Sequence, residues 1–162
     1  MIKAFLIALI SSLGYCIIFN IRGKHLIGAA LGGAISWVSY YIFIELGFSE
    51  LFAMFLSSTI ISIYSEVLAR VILPPVTTFI IVSLIPLVPG AKIYYTMYEA
   101  INGNFLVAME MGVDTLAIAG TLALGVIFVS TVIREANKLI TKNRKAMYME
   151  LSFSFCNWIW NF

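Results

Sequence analysis

Proline and glycine residues are concentrated in one apolar stretch of the chain, where they change what the backbone can offer to a ligand. All four prolines lie within 16 residues, Pro74, Pro75, Pro86 and Pro89, and Gly90 directly follows the last. A proline removes an amide donor and displaces the carbonyl one turn earlier, so each pair is expected to break a helix. Freed amides can bind a carboxylate, and freed carbonyls can bind a cation. The sequence therefore predicts a binding or gating element at residues 86–90.

Pro74 and Pro75 have a second interpretation, because proline is tolerated in the first turn of a helix. They can simply begin the helix that Pro86 and Pro89 interrupt. Hydroxyl side chains in the apolar segments can line a polar path, although each can equally bond to its own helix or cement a helix contact. These side chains are Ser36, Ser39, Ser57, Ser58, Thr59, Ser62, Ser65, Thr77, Thr78 and Ser83.

Few ionisable side chains lie inside apolar segments, and each is a candidate for ion coupling or solute binding. Glu66 is the acidic residue placed best inside such a segment, and Arg70 follows one helical turn later. The two can form a structural ion pair or take part in coupling. Lys92 follows the proline and glycine element and can add a positive field for a carboxylate. Asp114 is expected to cap the helix that follows it.

Signatures of catalysis and metal binding are missing from the sequence. There is no His-Glu-x-x-His, no Gly-x-Ser-x-Gly and no glycine-rich phosphate loop. The single histidine, His25, is far from Cys156 and shares no metal-ligand spacing with Cys16. We therefore expect no enzyme activity, no catalytic residue, no metal site and no cofactor.

Composition indicates a membrane protein. Of the 162 residues, 62% are apolar and 11% are charged, and the net charge is +2. Soluble domains average about 45–50% apolar and about 25% charged residues. So few charges cannot cover a globule with solvated groups, and the surface must face the lipid bilayer. The same numbers exclude a disordered chain, a disulfide scaffold and a nucleic-acid-binding protein.

Uncharged segments of about 20 residues are long enough to cross the hydrocarbon core as helices. We expect an all-α polytopic membrane protein with about five transmembrane helices and a proline-broken fourth helix. Four spans, with one segment interfacial or re-entrant, are the alternative. Residues 1–145 are expected to form a single transmembrane domain, and the aromatic tail 146–162 suits the membrane interface. The predicted spans are 4–21, 26–45, 51–69, 71–91 and 113–133.

Two further patterns concern helix packing and orientation. Gly28-x-x-x-Gly32, followed by Gly33, predicts a close helix contact in the second span. Basic residues favour cytoplasmic loops. With five spans and an outside N-terminus, only Lys3 and Lys92 of the 10 Lys and Arg residues lie outside. We therefore expect a multi-pass protein of the inner (cytoplasmic) membrane with a cytoplasmic C-terminus.

A segment at the end of the fourth predicted span resembles the signature of a known family. Residues 83–97, with the sequence SLIPLVPGAKIYYTM, contain a Pro-x-x-Pro-Gly pattern. It resembles the signature of the small membrane protein of the threonine/serine exporter family, which matches the C-terminal membrane half of the single-chain exporter. The resemblance covers about residues 14–133. The matching motif residues are Pro86, Pro89 and Gly90, followed by Tyr95 and Met97, whereas the tail after residue 145 departs from the family pattern.

The resemblance implies a subunit of a two-component secondary exporter, driven by proton coupling or another gradient. Its partner would be a larger membrane subunit of the same family. The solute would be a small carboxylate-bearing molecule, either threonine or serine or a small dicarboxylate such as succinate. A substrate-binding or gating role is thereby implied for Tyr95 and the motif prolines and glycine, beside Lys92 and Ser83. A non-transporting scaffold that stabilises a membrane partner is the alternative.

Overall fold

The computed structural model describes the backbone of residues 2–72 and 76–160 and the side chains of residues 3–23, 25–71 and 76–138. All regular structure within these ranges is helical, which confirms the expected all-α class. In chain order the elements are α1 (Ile2–Ile18), α2 (Lys24–Glu45), α3 (Glu50–Ile72), α4 (Val76–Leu84), a short 3-10 helix (Ile85–Leu87), α5 (Gly90–Ile101) and α6 (Phe105–Trp160).

Three helical stretches are long and apolar enough to cross a membrane, namely His25–Glu45, Glu50–Val71 and Phe105–Lys138. A fourth span exists if Val76–Leu87 and Gly90–Ile101, which are bent by 56°, cross together. α1 is apolar, but its 17 residues extend only about 25 Å, less than the roughly 30 Å of a hydrocarbon core. Length and composition of the described helices therefore support three or four crossings, and the fifth expected crossing, by α1, is not confirmed.

The predicted fourth span, 71–91, contains the interruption expected at Pro86, Pro89 and Gly90. α4 ends at Leu84, and an α-helix resumes only at Gly90, in a new direction. This part of the prediction is confirmed. The interruption expected at Pro74 and Pro75 lies outside the described residues.

α6 begins earlier than the sequence indicates. Its first residue is Phe105, so Asp114 lies inside the helix and the expectation that it caps the helix is wrong. Asn104 takes the cap position instead, because its carbonyl accepts the Ala108 amide at 3.0 Å. Gly103, with a φ of 84°, turns the chain between α5 and this cap. The stretch between residues 92 and 114, expected not to span, is therefore mostly helical.

α2 packs against α1, α3 and α4, and its glycines allow the close approach. A Cβ atom built on Gly28 would lie 2.6 Å from Leu68 Cδ2 in α3 and 3.4 Å from Phe79 Cε1 in α4. The Tyr64 hydroxyl of α3 donates to the Gly28 carbonyl at 2.9 Å. The close helix contact predicted from Gly28-x-x-x-Gly32 is thus confirmed.

The order of the contacts gives the helix directions, and two apolar clusters fill the spaces between helices. Gly28 lies against Phe79 and Gly32 against Ser83, so α2 and α4 run parallel. Leu87, the last residue of the 3-10 helix, is buried in the second cluster. The first cluster contains Cys16, Ala29, Ala30, Ala69, Phe79 and Val82. The second contains Met54, Leu87, Ile118 and Leu122, with Tyr40 packed against it.

The chain divides into two compact units, Met1–Phe128 and Val129–Phe162. The first unit contains α1 to α5 and the beginning of α6, and the candidate site lies within it. The second unit continues α6 as far as Trp160 and contains an ion pair of 2.6 Å between Lys138 and Glu135. The side chains of the aromatic tail 146–162 lie outside the described residues, so its position at the membrane interface stays a prediction.

Candidate functional site

The break between α4 and α5 has a defined backbone structure. Pro86 and Pro89 have no amide hydrogen, so the α-helical bonding pattern cannot continue through them. The Val88 amide donates to the Ile85 carbonyl at 3.1 Å, and the Gly90 amide then donates to the Val88 carbonyl at 2.7 Å. Pro89 has a φ of −76° and a ψ of 57°, which is the conformation of an inverse γ-turn.

This turn leaves backbone polar groups available on both sides of the break. The Ala91 and Lys92 amides begin α5 and donate to no backbone carbonyl in the described part of the chain. On the other side, the Val82 carbonyl loses its usual donor because that position is Pro86. Unpaired amides at a helix N-terminus favour an anion. The break can therefore present donors to a carboxylate at the start of α5.

Close contacts with α1 and α2 flank the break. A Cβ atom built on Gly33 would lie 3.5 Å from Pro86 Cγ and 2.7 Å from Ser12 Cβ in α1. A Cβ atom built on Gly32 would lie 3.1 Å from Ser83 Cβ in α4. Because Gly32 and Gly33 have no side chains, Ser12 and Ser83 pack directly against the backbone of α2, and Pro86 lies beside them.

The two serines at this junction differ in their hydrogen bonding. Both are fully buried. The Ser83 hydroxyl donates to the Ala29 carbonyl over a long 3.4 Å, whereas the Ser12 hydroxyl has no partner among the described residues. Buried hydroxyls are nearly always bonded, so Ser12 brings an unusual unpaired polar atom to this junction.

An ion pair joins α5 to α3 immediately beyond the break. Lys92 Nζ lies 2.8 Å from Glu50 Oε2, and the exposed fractions of the two side chains are 33% and 42%. Each residue lies in the first turn of its helix. Tyr40 of α2 is close enough to interact electrostatically with both charges. The positive field expected from Lys92 is therefore balanced by a carboxylate.

Glu66 and Arg70 form the pair that their spacing predicts, at 3.1 Å between Glu66 Oε1 and an Arg70 guanidinium nitrogen. The two side chains are 21% and 51% exposed. Glu66 lies 16 residues after Glu50 on α3, which is about 24 Å along the helix axis. The structure thus does not bring this pair together with the break.

Tyr95 lies on α5, a helix without buried residues. Its side chain is 53% exposed. Its ring packs edge to face against Tyr94, with 5.4 Å between the ring centroids. Among the predicted site residues, Ser83, Pro86, Pro89, Gly90 and Lys92 therefore follow one another through the break, and Tyr95 lies one helical turn beyond.

Most other hydroxyls of the apolar segments bond to carbonyls of their own helix. Ser57 and Ser65 are exceptions, because their buried hydroxyls have no partner among the described residues. No group of three His, Cys, Asp or Glu side chains that could hold a metal ion occurs in the described part of the chain. The internal bonds are made by Ser36, Ser39, Ser58, Thr59 and Ser62.

Sequence reasoning missed three residues at the site, namely Ser12, Tyr40 and Glu50. A signal for Glu50 was present, since the start of the third predicted span and the end of the fourth lie on the same side of the membrane. Ser12 and Tyr40 carry no such signal, because one hydroxyl or phenol in an apolar helix looks like any other until the packing is known.

The helices and the broken segment define a multi-pass α-helical membrane protein with polar backbone at a helix break, a structure typical of transporters. Residues 4–132 match the family model described as threonine/serine exporter, ThrE. The chain therefore belongs to the threonine/serine exporter family, as its Pro-x-x-Pro-Gly segment indicates, and has an exporter-type transport role. No solved structure matches the chain.

Proposed function

We propose that this chain is the small membrane subunit of a two-component secondary exporter. It would move threonine, serine or a small dicarboxylate out of the cell, driven by a proton or other gradient. The observation that carries the proposal is the pair of unpaired amides, Ala91 and Lys92, that follows the proline break in a chain of an exporter family.

Each residue of the break has a role in this proposal. Pro86, Pro89 and Gly90 keep the helix interrupted, so that the α5 amides can bind the carboxylate of the solute. Lys92 contributes an ammonium group whose charge is paired with Glu50, and the buried Ser83 hydroxyl contributes a polar group at the end of α4. Tyr95 lines the approach to the site on the first turns of α5.

Glu66 and Arg70 retain two roles that differ in what they do for transport. As a structural pair they neutralise each other near the end of α3. As a coupling pair, Glu66 would accept and release the driving proton while Arg70 stabilises its charged form. Their distance from the break favours a role in coupling or structure rather than in direct solute binding.

A larger membrane subunit of the same family is the proposed partner. The resemblance to one half of a single-chain exporter supports this, since half of a transporter leaves a site incomplete. The packing of α6 is compatible with such a partner, because only 22% of its apolar, potentially membrane-spanning part is buried within the chain. The remaining surface is available for lipid or for another subunit.

The proposed orientation has the N-terminus outside and the C-terminus in the cytoplasm of the inner membrane, and it requires that α1 crosses the membrane in addition to the four segments that are long enough to do so. It rests on the basic residues of the chain, which favour the cytoplasmic side. Reporter domains fused to each terminus test it: a reporter active only outside the cytoplasm should work at the N-terminus alone. Activity of that reporter at the C-terminus would contradict the orientation.

Efflux measurements test the function itself. Cells are loaded with labelled threonine, serine or succinate and carry this chain alone, the partner alone, or both. We expect efflux of at least one solute only when both are present. Efflux with the partner alone would show instead that this chain is a scaffold, and no efflux in any combination would contradict the transport function.

A further inference from the structure

We propose that Glu50 and Lys92 together bind the two charges of a zwitterionic α-amino acid, and that Glu50 selects such solutes against dicarboxylates. The inference rests on the proposed function and names the solute class of the same site. Its basis is the 2.8 Å contact between Lys92 Nζ and Glu50 Oε2, which places opposite charges side by side directly beyond the break.

The pair is accessible to a solute. Lys92 is 33% and Glu50 42% exposed, so neither charge is sealed inside the protein. The two charges come from the first turns of different helices, α5 and α3, and are 42 positions apart in the chain. Separate helices can move apart slightly and admit a solute between the charges, which two residues on neighbouring turns of one helix cannot do.

An α-amino acid matches this arrangement because its ammonium and carboxylate groups are attached to the same carbon. Its carboxylate can accept hydrogen bonds from Lys92 Nζ and from the unpaired Ala91 amide. Its ammonium can donate to the Glu50 carboxylate. Both protein charges exchange one partner for another, so every charge stays paired when the solute binds.

A dicarboxylate lacks this match. One of its carboxylates can take the place of Glu50 beside Lys92, but Glu50 then loses its partner and faces additional negative charge. The site as a whole is neutral, which suits a neutral zwitterion better than a solute with two negative charges. Glu50 thus acts as the residue that determines specificity.

A purely structural role for the ion pair makes different predictions. Partly exposed ion pairs contribute little to folding. If the pair is purely structural, Glu50→Gln should therefore change the efflux of all three solutes by the same small factor. The exchanged double variant Glu50→Lys with Lys92→Glu restores a pair of opposite charges. It should recover transport if only the pair matters, whereas a binding role predicts loss, because a carboxylate would then stand beside the α5 amides.

The first experiment measures efflux of threonine, serine and succinate from cells that carry the partner with wild-type, Glu50→Gln or exchanged protein. Glu135→Gln, which breaks the exposed ion pair with Lys138, is the matched control. We expect Glu50→Gln to lower the ratio of amino-acid to succinate efflux at least tenfold, with the control unchanged. An unchanged ratio, or full recovery in the exchanged variant, would overturn the inference while leaving the transport function intact.

If the wild type transports none of the three solutes, the proposed function is contradicted but the inference is not. A binding measurement then decides the inference. The melting temperature of the full-length protein, purified alone and together with the proposed partner subunit, is measured with threonine, with N-acetylthreonine, which lacks the ammonium charge, and with succinate. We expect that, of the three compounds, only threonine raises the melting temperature, and that it does so in the wild type but not in Glu50→Gln. Equal shifts for threonine and N-acetylthreonine, or a threonine shift that survives Glu50→Gln, would overturn the inference, as would no shift at all.

Discussion

Ser12 of α1 occupies the space that a side chain on Gly33 of α2 would need, since a Cβ atom on Gly33 would lie 2.7 Å from Ser12 Cβ. Pro86 Cγ would lie 3.5 Å from the same Cβ atom, at an ordinary van der Waals distance. Gly33 of α2 therefore lets α1 approach closely, next to the place where the proline break packs.

Substituting Gly33→Ala should destabilise the protein because Ser12 and α1 must move. Overpacking of this kind costs about 1–3 kcal/mol, measured as a lower melting temperature in detergent. Gly120→Ala is the matched control, because nothing lies within 4 Å of its built Cβ, and alanine should be neutral or stabilise α6 by up to about 1 kcal/mol. Recovery of stability when Ser12→Gly is added would assign the loss to this contact, and a Gly33→Ala protein as stable as the wild type would contradict it.

Replacing Pro86, Pro89 and Gly90 together by alanine should abolish efflux and leave membrane insertion intact. Alanine restores the missing amide donors and favours a continuous helix, so the amides at the start of α5 would become bonded within it. The measurements are the amount of protein in the membrane fraction and the efflux rate with the partner present. Gly14→Ala, another glycine with open space around it, controls for the change in composition. Normal efflux by the triple variant would remove the break from the site.

The hydrogen bond from Tyr64 to the Gly28 carbonyl should contribute measurably to the contact between α2 and α3. Tyr64→Phe removes the donor and keeps the ring, and we expect a loss of about 0.5–1.5 kcal/mol in the free energy of unfolding. Tyr41→Phe is a suitable control because Tyr41 is exposed on α2. Equal melting temperatures for the two variants would show that the bond does not contribute.

Glu66→Gln should change stability by less than about 1 kcal/mol, because partly exposed ion pairs are weak. The melting temperature and the efflux rate at a defined proton gradient are measured on the same variant. With stability preserved, a loss of the dependence on the gradient would assign Glu66 to coupling, and unchanged transport would leave it as a structural partner of Arg70. A large drop in melting temperature would contradict the weak contribution expected here.

The sequence predicts the break well because proline acts locally. Pro86 and Pro89 cannot donate backbone hydrogen bonds in any environment, so their effect does not depend on neighbouring helices. The glycine contact of α2 was predictable for a similar reason, since Gly28 and Gly32 fall on one helical face. The ion pair of Glu66 with Arg70 follows from spacing along one helix.

Features that depend on two helices meeting were not predictable in the same way. Whether Lys92 is free or paired is decided by the position of Glu50, 42 residues away in the chain. The start of α6 was misplaced because an apolar run shows where a span can lie but not where the helix begins. Asn104, a polar residue after a glycine, was the better cap signal than Asp114.

α5 has no buried residue, whereas Phe79, Val82 and Ser83 of α4 are buried and pack against α2. A swing of α5 about the Pro89 turn would therefore uncover little apolar surface, and the stiffness of the bundle would not oppose it. α5, which is packed loosely, carries both the amides and the lysine proposed to bind the solute, and α4 stays packed in the bundle. A movement of α5 during transport would then require mainly that the ion pair between Lys92 and Glu50 opens, and the other helices would not need to repack.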